Sequence, residues 1–349
     1  MAPITPPPAA SSTETQASST SANEEEDRPY EVLITGFGPF GKTLVNPSWS
    51  IATQLHDVTL YPPVPPPSPK RNIHIQSLNL PVSYANTLDA VPRIHGQDPT
   101  SPYAKRDIDE RGPTDGAQGD GAHPYPSGYA PRLHHPAAGY DLVIHIGVGL
   151  NGGVRVEKQA HKEGYKKRDA FEREAPPSDH PRHYQSGSDC GSSATKAKGP
   201  FSFLHFLLFF FLSTLQASSL SFYSSFFQEG GGFGKGYEDF KDVCKTTIDV
   251  DGLVAMLEAR GCGPVSASTD PGRYLCDFTY YCSLAESRRA TVSSSTGNEK
   301  DGGSIDGAPS KQPETQVLFI HVPQVGQPHS VEDGRKIVVQ AIGWILWGR

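Results

Sequence analysis

The chemistry of this chain would have to come from its five cysteines, thirteen histidines and scattered carboxylates, so their surroundings decide which can react. Cys276 has the most distinctive setting. It lies in the stretch DPGRYLCDFTYYC, six residues beyond Asp270. Asp270-Pro271 reads as the N-cap and first residue of a helix that carries Leu275, Phe278 and Cys282 on one apolar stripe. A helix N-terminus favours a thiolate, but the effect fades after the first turn. The other cysteines have less to offer. Cys190 lies in polar sequence, Cys244 and Cys262 flank a helical pattern, and Cys282 sits on the apolar stripe. The bland alternative for any one of them is a small buried hydrophobe.

A nucleophilic thiol needs a base, and the base needs a third group to orient it. Two histidines end apolar, strand-like runs: His145 in DLVIHIG and His321 in VLFIHVP. Either can serve, and either can instead be a hydrogen-bonded core residue. Glu157, in VRVEK, is the best-placed carboxylate, with surface pairing to Lys158 as the competing reading. No H-E-x-x-H spacing occurs, and nothing else points to a metal.

The segment Gly36-Phe37-Gly38-Pro39-Phe40-Gly41 matches the G-x-G-x-x-G pattern of dinucleotide-binding loops. Those glycines should open a helix whose N-terminus holds a pyrophosphate. Here Pro39 interrupts, the helix signal waits until Asn46-Pro47, and no acidic residue follows about 20 positions on. A dinucleotide is therefore excluded. The loop instead offers two phenylalanine rings at the end of a strand, where open α/β sheets bind ligands. Phe37 and Phe40 suit a small, flat group with apolar faces; the competing reading has both rings packed in the core.

The elements that must hold these residues alternate. Strands are expected at 31–35, 73–79, 141–146, 264–269 and 317–322, and helices from Asn46-Pro47, from Asp249, from Asp270-Pro271 and from a capping box at Ser330-x-x-Asp333. Strands alternating with helices imply an α/β layered fold with a largely parallel sheet.

Composition sets the boundaries. Length alone suggests about two domains of ~150 residues. Yet Gly (35) and Pro (32) make up about one residue in five of the 349, against a usual ~12%. The excess is uneven. It marks 1–28 as a disordered tail and 93–139, 173–234 and 286–315 as loops, which leaves one domain over 29–347. Within 173–234 the run FSFLHFLLFFFL at 201–212 is strongly apolar, and no charge appears between Lys198 and Glu229. Its dense part is too short to span a bilayer, and 201–227 is diluted by serine, so membrane insertion is not expected. Phe, Leu, Ser and Pro codons are pyrimidine-rich, as a splice acceptor is; residues 199–228 therefore read either as an apolar insertion or as a translated intron. Net charge is −7, which gives no nucleic-acid surface. The chain has no Lys or Arg before Arg28 and an odd number of cysteines, which points to a cytoplasmic protein with reduced thiols.

Five blocks in order carry a resemblance: TGFGPFG with NPS (35–41, 46–48), LPVSY (80–84), HIGVGLNGGVRVEKQAHKEGY (145–165), DPGRYLCDFTYY (270–281) and FIHVP (319–323). Together they resemble the pyroglutamyl peptidase I family of cysteine peptidases. The resemblance implies a single three-layer α/β/α sandwich. It also implies hydrolysis after an N-terminal pyroglutamate, without a cofactor, by a triad of Cys276, His321 and Glu157. The GFGPFG loop would line the pocket, with Phe37 and Phe40 flanking the lactam ring and Asn46 helping to hold it; the partners would be N-terminally pyroglutamylated peptides. An alternative expectation is a family member whose insertions leave binding without turnover. The sequence departs from the family at Pro271, where a small residue is usual.

Overall fold

The computed structural model describes residues 28–41, 43, 45–63, 71–104, 135–178, 230–296 and 314–348. The expected tail up to residue 27, most of the loops 93–139 and 173–234, the proposed intron 199–228 with its apolar run, and Cys190 lie outside the described residues. Arg28, placed at the end of the tail, is anchored, with Nη1 and Nη2 each 3.1 Å from the Asp141 carboxylate.

Seven strands form the central sheet. They are β1 (Tyr30–Phe37), β2 (Val58–Leu60), β3 (Ile73–Leu80), β4 (Leu142–Val148), β5 (Val154–Glu157), β10 (Val265–Ser268) and β11 (Gln316–Val322), in the order β10-β5-β11-β4-β1-β3-β2. The four central strands β11, β4, β1 and β3 run parallel. The flanks reverse, since β5 lies antiparallel to β11 and β2 antiparallel to β3. Small two-stranded sheets pair β6 (Gln159–His161) with β9 (Val243–Lys245) and β7 (Glu163–Tyr165) with β8 (Gly231–Gly232). The last of these strands lies inside the stretch expected to be the 173–234 loop.

Helices cover both faces. On one face lie α1 (Pro47–Thr53), α3 (Val250–Ala259) and α5 (Val331–Trp347), packed with Val32, Ile34, Ile144, Val156 and Ile320. On the other lie α2 (Tyr84–Ile94) and α4 (Leu275–Thr296), packed with Leu33, Leu80, Val143 and Phe319. Alternate residues of one strand thus feed two separate cores, which is why β4 and β11 read as continuous apolar runs. The result is the expected α/β/α sandwich with a mostly parallel sheet.

Capping follows the sequence at three helices. Asn46 accepts from Ser48 N at the start of α1, Asp249 accepts from Gly252 N at the start of α3, and Ser330 and Asp333 cap α5 reciprocally. The expectation fails at α4, which opens at Leu275 and not at Asp270-Pro271. Asp270 Oδ1 instead accepts from Gly272 N (3.1 Å), closing a turn in which Gly272 and Arg273 both take positive φ, 95° and 46°. Helical geometry is impossible there, so the cap-like pair nucleates a turn. The same helix continues to Thr296, into the stretch 286–315 expected to be a loop. Among the described residues no helix is long and apolar enough to cross a membrane.

Candidate active site

β1, β4 and β11 end at one edge of the sheet, and the candidate residues gather there. His321 is the penultimate residue of β11 and Glu157 the last residue of the neighbouring β5. His321 Nδ1 lies 2.8 Å from Glu157 Oε1, with both side chains buried. Lys158, the competing partner for Glu157, bonds Asp251 instead, at 2.7 Å. Cys276 faces the same imidazole from α4, close enough for its charge to act on the ring. Burial pushes the His321 imidazole down, but the negative charge of Cys276 and then of Glu157 outweighs burial and raises its pKa to about 9.

Because α4 opens at Leu275, Cys276 stands in the first helical turn, where the positive end of the helix favours negative charge most. Among the described residues the N–H groups of Leu275, Cys276 and Asp277 have no carbonyl partner. These are the orphan donors of a helix start.

Three features that sequence reasoning missed hold this geometry. Gly147 and Gly149, flanking the end of β4, leave the space that Cys276 and His321 fill. A Cβ on Gly147 would stand 2.9 Å from Cys276 Sγ, and one on Gly149 would stand 2.9 Å from His321 Cβ. The signal was present as G-V-G directly after the His145 strand. Asp277, fully buried beside Cys276, ties the preceding turn to β6. Its carboxylate accepts from His161 N (2.8 Å) and from Arg273 Nη1 (3.0 Å) and N (3.3 Å). Tyr280, one turn along α4 from Cys276, donates to the Glu157 carbonyl at 3.0 Å and clamps the helix onto β5. His161, Asp270 and Asp277 form a cluster of metal-ligand type, but the Arg273 guanidinium occupies it, lying 2.6 Å from His161 Nδ1.

The two strand histidines separate here. His145 lies three residues short of the end of β4, its Nδ1 2.7 Å from the Thr35 hydroxyl and its ring stacked near Phe319. Burial, with a smaller push from His95, lowers its pKa to about 3, so it is a neutral core residue.

The GFGPFG loop leaves β1 at the same edge. Phe37 is the last residue of the strand and is buried in the core, whereas Phe40 stays half-buried against the core cluster that Cys276 also touches. Asn46 is buried, with Nδ2 donating to Gly38 O (3.0 Å) and Oδ1 accepting from Ser48 N and Oγ. Its amide therefore holds the loop to α1. A separate concavity lies at the opposite edge, among His95, His135, Tyr140, Ser287 and Thr291. His95 there is neutral, its pKa lowered to about 3 by burial and then by His135. That concavity pairs no thiol with a base.

A family model described as pyroglutamyl peptidase matches residues 30–93, which include the GFGPFG loop. Mouse and human pyroglutamyl-peptidase 1 are each 24% identical over 303 residues, covering 86% of this chain and 82% of each relative. Among solved structures, pyrrolidone carboxyl peptidase from Pyrococcus furiosus is 16% identical with a TM-score of 0.48, covering 91% of this chain and 99% of that one. Bacillus amyloliquefaciens pyroglutamyl peptidase I is 13% identical with a TM-score of 0.48, covering 92% and 98%. The chain thus resembles the pyroglutamyl peptidases in its family-model match and in its curated relatives, as the five sequence blocks implied.

Proposed function

We propose that this protein is a cysteine peptidase that removes an N-terminal pyroglutamate from peptides, with Cys276 as nucleophile, His321 as acid–base and Glu157 as the orienting carboxylate. The observation that carries the reading is the buried Glu157–His321 contact at 2.8 Å, with Cys276 at the start of α4 acting on the same imidazole. The resemblance to pyroglutamyl peptidases supplies the substrate class. A pyroglutamyl terminus has no free amine, so it must be held by contacts to a flat, neutral lactam. The loop carrying Phe40, anchored by the buried Phe37 at its base and tied to α1 by Asn46, is the apolar surface for that ring.

In this reading the Cys276 thiolate attacks the pyroglutamyl carbonyl carbon. The oxygen becomes an oxyanion within reach of the free N–H groups at the start of α4, which stabilise developing charge without reorganisation. The His321 imidazolium gives its proton to the departing amine as the C–N bond breaks. Water then attacks the thioester, its proton goes to His321, and free pyroglutamate leaves. Glu157 keeps the ring oriented and favours its charged form.

Release of the fluorophore from a pyroglutamyl aminocoumarin amide by the full chain tests the proposal. Activity should be abolished by Cys276→Ala and by thiol alkylation. A Cys276→Ala chain with wild-type turnover would reject it, as would ligand-induced thermal stabilisation of the wild-type chain without any hydrolysis.

A further inference from the structure

We infer that Arg155 selects substrates that carry a carboxylate on the residue leaving with the amine. The inference rests on the peptidase reading above. Arg155 pairs directly with His321 across the antiparallel β5–β11 ladder. Residues opposed in this way have Cβ atoms ~4.5–5.5 Å apart on one face. That face is identified twice. Glu157, two residues along β5, bonds the His321 ring, while Val154 and Val156 enter the core of the opposite face. Because β5 runs against β11, Arg155 lies on the outer side of the Glu157–His321 contact, toward the edge where the parallel strands end.

Its chemical state is unusual for this protein. Arg155 is half-buried, yet it makes no hydrogen bond or ion pair among the described residues. Every other described arginine has a partner: Arg28 and Arg71 pair with Asp141, Arg273 with Asp277, Arg289 with Glu286 and Arg335 with Glu332, for example. The two loops beside it, 149–153 and 323–328, contain no charged residue at all. A partly desolvated guanidinium without a partner is a fork of donors matched to a carboxylate.

The reaction brings one there. His321 protonates the departing nitrogen, so the leaving residue is seated beside His321, and a carboxylate a few bonds from that nitrogen falls within reach of an arginine side chain based one strand away. Two sources share this chemistry: the α-carboxylate of a dipeptide, and an Asp or Glu side chain directly after the pyroglutamate.

The test compares kcat/KM of the full chain for pyroglutamyl-alanine, pyroglutamyl-alanine amide and pyroglutamyl-glutamate amide. One or both carboxylate-bearing peptides should exceed the alanine amide by about fivefold or more at low salt, and the margin should shrink as salt is added. The first peptide reports the α-carboxylate and the third reports the side chain. Arg155→Gln should bring the ratio to about one, Arg155→Lys should retain part of it, and Arg155→Glu should turn it below one. Equal rates in the wild-type chain, or a preference that survives Arg155→Gln, would overturn the inference. Calorimetric binding of the same peptides to the Cys276→Ala chain reads the same ratio without turnover. Absence of all hydrolysis would count against the peptidase reading, whereas equal binding would count against Arg155.

Discussion

Two histidines stand on neighbouring parallel strands, on the same face, in nearly the same local sequence, and the fold gives them opposite electrostatics. His145 has a hydroxyl, an aromatic ring and another histidine around it, and its pKa falls to about 3. His321 is almost as buried, yet its pKa rises to about 9 because a thiol and a carboxylate meet it. Burial alone therefore does not decide what a strand histidine does. The partners decide, and they arrive from β5 and α4, far away in sequence.

The largest expected effect breaks that comparison in the plainest way. His321→Ala should lower kcat by ~10³-fold or more, whereas His145→Leu should leave kcat near wild type and cost about 1–3 kcal/mol of stability by orphaning the buried Thr35 hydroxyl. Steady-state kinetics with chemical denaturation of both variants reads the contrast, and a His145→Leu chain with the greater kinetic loss would reverse the assignment.

A smaller effect isolates the carboxylate. Glu157 helps raise the pKa of His321, so the imidazole keeps its proton at neutral pH and loses it as pH rises through about 9. kcat/KM should fall through that range. Removing the negative charge in Glu157→Gln lowers the His321 pKa, so the falling limb should move to lower pH, with kcat down by ~10²-fold or more. A pH profile that keeps its alkaline limb in place would show that the carboxylate does not tune the ring.

The smallest effect tests the space left for the thiol. Gly147→Ala puts a methyl group 2.9 Å from Cys276 Sγ and 2.8 Å from the Phe319 ring. The thiol must shift, and kcat should drop by ~10-fold with KM little changed. An unchanged kcat would mean that the site tolerates displacement of its nucleophile.

Much of this arrangement can be read in the residues, and the failures have physical causes. Apolar runs at 141–146 and 317–322 announce buried strands, and Ser330-x-x-Asp333 announces a helix, because both signals are local. Asp270-Pro271 misleads because Asp-Pro-Gly starts a turn as readily as a helix, and only packing against β6 favours the turn. The direction of β5 is invisible locally, since a strand carries no mark of its partner's polarity. His145 and His321 cannot be separated by spacing at all. Asn46 and Phe37 have legible positions, but an Asn cap reads the same whether its amide holds a ligand or its own loop.

The order of the strands in the sheet has a consequence for synthesis. β11 is the last strand to be made, yet it lies in the middle of the sheet, hydrogen-bonded to β4 on one side and β5 on the other. A nascent chain that ends before residue 316 therefore holds two half-sheets with exposed, unpaired edges, and its Glu157 and Cys276 have no imidazole between them. The last strand thus closes the core and completes the proposed triad together. Chains truncated upstream of β11 should lack the proposed activity and be prone to edge-to-edge association.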